Sequence, residues 1–349
     1  MNSLCALLGT EWPLIQAPMA GAQDARLAIA CSHAGALGSL PAAMLGPDAL
    51  ARALGELRAG TTRPWAVNFF CHTPPTPDPA RETAWRAALA PLAAEAGVDL
   101  AAVPAGAGRV PFDAAALAVI EPFRPPVVSF HFGLPEPALL ARVKAWGAVV
   151  LSSATTVEEG RWLQARGADA VIAQGLEAGG HRGHFLSDDL SRQTGTLALV
   201  PALVDALEVP VIAAGGIADE RGVRAAMALG AAGVQVGTAF LDCDEATTSA
   251  VHRAALRGPG AAHTALTTLF SGRPARGIVN RLMHTLGPMN PAAPDFPLAT
   301  AAIAPLRAHF EAQGRGDCSP LWAGQNTAGV RRAPAAEIVR ALARGFAAA

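Results

Sequence analysis

The sequence predicts an α/β fold in which eight parallel strands close into a (β/α)8 TIM barrel, with a mostly helical C-terminal extension and an insertion between strands three and four. Three observations lead there. Eight short runs rich in Val, Ile and Ala alternate with helix-forming stretches through the first two thirds of the chain, the signature of βα units. The runs are continuously apolar rather than alternating, as strands buried on both faces of a parallel sheet require. The chain has 349 residues, which suits one barrel of ~250 residues plus appended elements.

Taken in order, the runs fall at 13–19, 36–40, 64–70, 127–133, 148–154, 168–175, 209–216 and 232–241. Helix signals stand between them: Asp24 before an Ala-rich stretch ending near Gly35, Pro47-Asp48, Thr156 ahead of a segment closing at Gly167, and Asp219 ahead of one closing at Gly230. One crossover, about 71–126, is abnormally long and reads as a lid or side element containing a helix over 80–97. After Asp242 the strand pattern stops. The expected division is a barrel over 1–244 and a helical extension over 245–349 that covers the barrel mouth. Gly106-Ala107-Gly108 suggests a dinucleotide loop, but Pro111 stands where the third glycine belongs and no helix begins there.

Composition narrows the function. Apolar residues make up 51% and charged residues 16% of the chain, enough to bury a large core. The net charge is −1 and no basic run occurs, which argues against nucleic acid or an anionic membrane as partner and for a small-molecule substrate. Five scattered cysteines without C-x-x-C spacing argue against a disulfide framework or structural zinc and for a reducing cytoplasm. No apolar run reaches the ~18 residues of a membrane span, and a monomer or homodimer is expected. Tyrosine is absent, so no phenol can donate a proton, and Lys144 is the only lysine, set in a helical segment, which argues against Schiff-base chemistry at the mouth.

In such a barrel the chemistry sits at the C-terminal strand ends. The first run delivers Gln16-Ala17-Pro18-Met19 there, the third Asn68, and the fourth Ser129 and His131. The sixth runs into Gln174-Gly175-Leu176-Glu177-Ala178-Gly179-Gly180-His181-Arg182-Gly183, the seventh ends at Gly215-Gly216, and the eighth carries Gln235-Val236-Gly237-Thr238. Glycine pairs can end strands for turn geometry alone. Two pairs at consecutive strand ends, Gly215-Gly216 and Gly237-Thr238, also supply backbone N–H groups for a cofactor phosphate such as that of FMN. His181 is flanked by glycines that let the backbone pass close to a planar ligand. Its imidazole can serve as a base or as a donor to a bound anion, although a lone histidine is more often structural. His131 reads equally as orienting a substrate or supporting the mouth. His33, His184, His252, His263, His284 and His309 are expected on the surface. Asp169 precedes its strand, so it cannot pair with Glu177 as an acid/base couple.

The chain resembles the class I nitronate monooxygenases, formerly called 2-nitropropane dioxygenases, over nearly its whole length. The resemblance rests on Pro13-Leu14-Ile15-Gln16-Ala17-Pro18-Met19, Val67-Asn68-Phe69-Phe70, Ser129-Phe130-His131-Phe132-Gly133, the Ala173 to Gly183 segment, and Pro210 to Ile217. It continues through Gly233 to Thr238, Ser271-Gly272-Arg273-Pro274-Ala275-Arg276-Gly277, and Leu321-Trp322-Ala323-Gly324-Gln325. It implies noncovalent FMN and oxidation of alkyl nitronates by O2. By the same resemblance Asn68, Gln174, Gly179, Gly216 and Gln235 to Thr238 contact FMN, His181 is catalytic and His131 lies in the substrate pocket. Ala17, Pro18, Met19, Gly180 and Gly215 join the candidate cofactor contacts. The family places tyrosines around its substrate pocket, whereas this chain has none; Phe270, Phe296 and Arg307 occupy the corresponding C-terminal region. The competing expectation is an NAD(P)H-dependent FMN reductase of the same superfamily, acting on quinones or enoyl-thioesters.

Overall fold

A computed structural model describes residues 2–104 and 109–346; the Gly106-Ala107-Gly108 segment lies outside them. All eight apolar runs form parallel strands: β1 (Leu14–Gln16), β2 (Gly38–Pro41), β3 (Trp65–Phe70), β4 (Val127–His131), β5 (Val149–Ala154), β6 (Ala170–Gln174), β8 (Val211–Ala214) and β9 (Gly233–Val236). Number seven in chain order is a two-residue strand, β7 (Gly180–His181), outside the barrel. The barrel order is β1-β9-β8-β6-β5-β4-β3-β2. The ring is closed by a parallel bridge between Ile15 and Leu37, with Gln16 N–H donating to Leu37 C=O at 2.9 Å. The strands end earlier than their apolar runs because the last residues turn outward to build the mouth, as 237–241 do in a short 3₁₀ turn.

The expected helix starts are made by side chains. Asp24 caps Ala25–His33, Thr156 caps Val157–Ala165 and Asp219 caps Glu220–Ala228, each accepting a first-turn N–H. The N-terminal helix Ser3–Leu8 plugs the closed end of the barrel, its Leu4 and Leu8 packing with Ile15, Leu37, Leu151, Ile172 and Ile212.

Two features depart from a purely helical extension. Residues 264–267 and 275–278 form an antiparallel pair, β10 (Thr264–Thr267) and β11 (Ala275–Ile278), and β11 pairs in turn with β7. These strands carry Thr and Arg, so no apolar run marks them; their pairing partner is the glycine-rich loop of the barrel. The last helix, Ala335–Ala343, leaves the mouth and packs Ile338, Val339 and Leu342 against helices Ala25–His33 and Glu220–Ala228. It fills the outer-ring position that follows the eighth strand. The roof is therefore an excursion before that helix, rather than a terminal appendage running to 349.

The roof has its own core. Helix Pro79–Ala96 of the long crossover lies along helix Thr300–Ala312 of the extension, burying Trp85, Leu89, Ile303, Leu306 and Phe310 together. Glu95 of the crossover helix pairs with Arg281 at 2.7 Å and Arg315 at 3.0 Å, both in the extension but outside helix Thr300–Ala312. Among the described residues no helix is long and apolar enough to cross a membrane.

Candidate active site

The strand ends and the roof enclose one cavity of about 280 Å3, and all the candidate residues of the sequence line it: His181, His131, the Ala17-Pro18-Met19 turn, Asn68, Gln174, Gly179-Gly180, Gly215-Gly216 and Gln235 to Thr238. Lys144 and Asp169 lie elsewhere, paired with each other at 2.8 Å.

The polar residues that end the strands are fixed by one another. Asn68 donates to Ser129 Oγ at 2.9 Å. Gln23 binds Gln16, the Met19 N–H and the Ser39 carbonyl, which sets the turn after β1. Gln174 uses both ends of its amide on the next loop: Nε2 donates to His181 C=O at 2.9 Å and Oε1 accepts from Gly183 N–H at 2.7 Å. Arg182, fully buried, spends its guanidinium on Gln193 and on the carbonyls of Gly175 and Gln174, at 2.7–2.8 Å. Burial lowers its pKa to about 10.

The glycines answer to geometry. Gly215 and Gly216 sit at φ 118° and 74°, a region that disfavours side chains. A Cβ on Gly179 would meet the backbone of Ala323 at 2.6 Å, and one on Gly183 would meet His131 Cε1 at 2.8 Å. The roof seals this rim. Gly324 N–H donates to Thr238 Oγ1 and Asn326 Nδ2 to Gly216 C=O, both at 2.9 Å.

His131 reaches His181 C=O through Nε2 at 3.1 Å and Ser153 Oγ through Nδ1 at 3.0 Å. A carbonyl only accepts, so Nε2 carries the proton and Nδ1 accepts from Ser153. Both nitrogens are spent on protein, which favours the supporting reading of this residue. Burial brings its pKa down to about 4.

His181 is different. Its Nε2 contacts Ser271 Oγ at 2.8 Å, and its ring stands between Phe296 and Trp322, centroids 5.3 and 5.5 Å away. Desolvation first, then the charges of Arg109, His131, Arg273 and His72, hold its pKa well below 6.5. It is neutral at physiological pH, as a base must be. Phe132, held at φ 70°, carries the Arg273 guanidinium 4.3 Å above its ring. No carboxylate lines the cavity among the described residues, while Arg109 and Arg307 do; the site favours anions.

Two sequence expectations are corrected. His184 and His252 are buried, not on the surface, at 2% and 8% exposure. The His184 carbonyl accepts from Arg273 of the roof, and His252 shares the inward face of helix Ala250–Arg257 with Leu256, four residues on. That spacing was the available signal. Sequence reasoning also passed over His72, wedged 4.8 Å from Phe296 with Nε2 on the Arg109 carbonyl, and gave no role to Ser271 or Trp322. Of the C-terminal substitutes, Phe296 flanks His181 and Arg307 reaches the cavity, whereas Phe270 packs behind Trp322.

Comparison with known proteins agrees with this geometry. A family model described as nitronate monooxygenase matches residues 2–345. The nitronate monooxygenase of Pseudomonas aeruginosa is 45% identical over 341 residues, 96% of each chain. That of Paraburkholderia phytofirmans is 42% identical, covering 98% of this chain and 94% of its own. The solved structure of nitroalkane oxidase from Streptomyces ansochromogenes matches at a TM-score of 0.89 and 39% identity, over 99% of this chain and 98% of that one. FabK from Thermotoga maritima matches at 0.73 and 27%, over 100% and 96%. A barrel of this architecture, matched end to end in sequence and structure, belongs to the nitronate monooxygenase family, and the chain is an oxidoreductase.

Proposed function

We propose that the protein is an FMN-dependent monooxygenase that oxidises alkyl nitronates, such as propionate 3-nitronate, with O2 to carbonyl compounds and nitrite or nitrate. One observation carries the reading: the His181 imidazole stands in a mouth that no carboxylate lines among the described residues, beside two glycine-built strand ends. The residues present fit FMN. Gly215-Gly216 leave their backbone bare at positive φ and Gly237-Thr238 face the same cavity; the Glu177 carboxylate next to them is turned onto Thr196, and no acidic side chain lines the cavity among the described residues. Asn68, Gln174, Gly179, Gly180, Gln235, Val236 and the Ala17-Pro18-Met19 turn would hold the remainder. The chemistry supplied by bound FMN is one-electron oxidation of the nitronate and reduction of O2.

The chain's own residues do the rest. Arg109 and Arg307 raise the local concentration of an anionic nitronate. Phe70, Phe132, Phe296 and Trp322 exclude water from it. For a neutral nitroalkane His181 removes the α-proton, a step a preformed nitronate does not need. His131, Gln174 and Arg182 hold the loop that aims His181.

The purified protein is expected to be yellow. Without oxygen, propionate 3-nitronate should bleach the flavin band and NADH should leave it unchanged. Rapid bleaching by NADH with no response to the nitronate would overturn the proposal in favour of an NAD(P)H-dependent reductase of quinones or enoyl-thioesters.

A further inference from the structure

Ser271 is 2% exposed in the turn joining β10 to β11. That turn is rigid: at Gly272, φ is 88° and a Cβ would lie 2.0 Å from the Pro294 carbonyl. On the other side, the backbone of His181 pairs with Ala275 of β11. Both ends of the 2.8 Å contact between Ser271 Oγ and His181 Nε2 are thus anchored in one three-stranded sheet. The Arg273 carbonyl, 3.4 Å from Oγ, is a second acceptor within reach of the hydroxyl hydrogen, so a lone pair of Oγ can accept from the ring. A donor to that oxygen must carry a proton on Nε2. Nδ1 makes no hydrogen bond among the described residues, and a ring that takes up a proton there carries its own on Nε2.

We propose that Ser271 is a positioning residue that fixes the Nε2–H tautomer of His181 and thereby makes Nδ1 the proton-accepting atom towards neutral nitroalkanes. The inference rests on the reading of His181 as the base. In the step, the α-C–H bond breaks and its proton forms a bond to Nδ1. The released electron pair forms the C=N bond, and the negative charge goes to the nitro oxygens. The resulting imidazolium keeps its Nε2–H on Ser271, where the hydrogen bond strengthens because the donor is now charged. No oxidant or reductant enters this step. The cations facing the ring, Arg109 and Arg273, oppose the imidazolium, so the Ser271 oxygen is the contact that offsets them.

The test uses the flavin-loaded enzyme with nitroethane and with ethyl nitronate. Ser271→Ala should lower the nitroalkane-to-nitronate ratio of kcat/KM by roughly tenfold or more, and move the acid limb of the nitroethane profile to lower pH. Ser271→Thr, which keeps the hydroxyl, should restore both. Independently of turnover, 15N NMR of histidine-labelled protein, with the His181 signal assigned by its loss in His181→Asn, should show the proton on Nε2. A proton on Nδ1, or an equal fall with both substrates, would overturn the inference. If the wild type oxidised neither substrate, the functional reading would fail while the NMR result still decided the tautomer.

Discussion

At its N-terminal end the barrel interior is filled by Leu4, Leu8, Ile15, Leu37, Leu151 and Ile212, wholly apolar and plugged by a helix. At its C-terminal end the same strands present Asn68, Ser129, His131, Gln174 and Gln235 to a cavity roofed by distant segments. The difference is one of purpose. Close-packed apolar side chains stabilise without needing partners, whereas each buried polar group at the mouth requires a specific one. The mouth meets that need with cross-strand bonds such as Asn68 to Ser129, and leaves Nδ1 of His181 without a partner among the described residues.

Substitutions at the two ends should therefore fail in different ways. The largest expected effect is at the mouth. His181→Asn should lower turnover of neutral nitroalkanes by about 10²–10⁴, with a much smaller loss for nitronates, read as oxygen uptake. Full activity on both substrates would remove His181 from the mechanism. Next comes the closed end, where Leu37→Ala should cost about 2–5 kcal/mol of stability, seen as a lower denaturant midpoint. The kcat of the molecules that remain folded should be unchanged; a fall in kcat would mean that the two ends are coupled.

The smallest effect near neutrality is pH dependence, and it too should arise from the mouth and roof. His131, His184 and His252 have pKa values lowered by burial to about 4, 3 and 4. Below about 6.5 the unfolded chain takes up these protons while the folded one does not, so stability present above 6.5 is lost as pH falls towards 4. Carboxylates held low, such as Glu95 with its pKa of about 2 between Arg281 and Arg315, add their losses only at more acidic pH. The urea midpoint should therefore be lower at pH 5 than at pH 7.5, and an equal or higher one would contradict the neutral state of these histidines.

The contrast between the ends also explains what the sequence discloses. Strands buried on both faces write continuous apolar runs, so all eight were legible, and so were the glycines and the histidine that follow them. The roof was not. Trp85 shares a cluster with Phe310, and Ser271 meets His181, only across long stretches of chain, and β10 and β11 are too short and polar to mark themselves. His184 is expected in solvent because nothing local says that another segment covers it, whereas for His252 the only local sign of burial is its four-residue spacing from Leu256. Most of the proposed cofactor contacts rest on the resemblance, whereas the spent nitrogens of His131 and the free Nδ1 of His181 needed coordinates.

The central claim is that the polar end of this barrel oxidises nitronates with oxygen. Adding propionate 3-nitronate to the air-equilibrated flavoprotein and following oxygen uptake together with nitrite and nitrate release tests it most directly. The account predicts rapid uptake matched by release of those ions, without any nicotinamide present. A yellow protein that consumes no oxygen with the nitronate would contradict it.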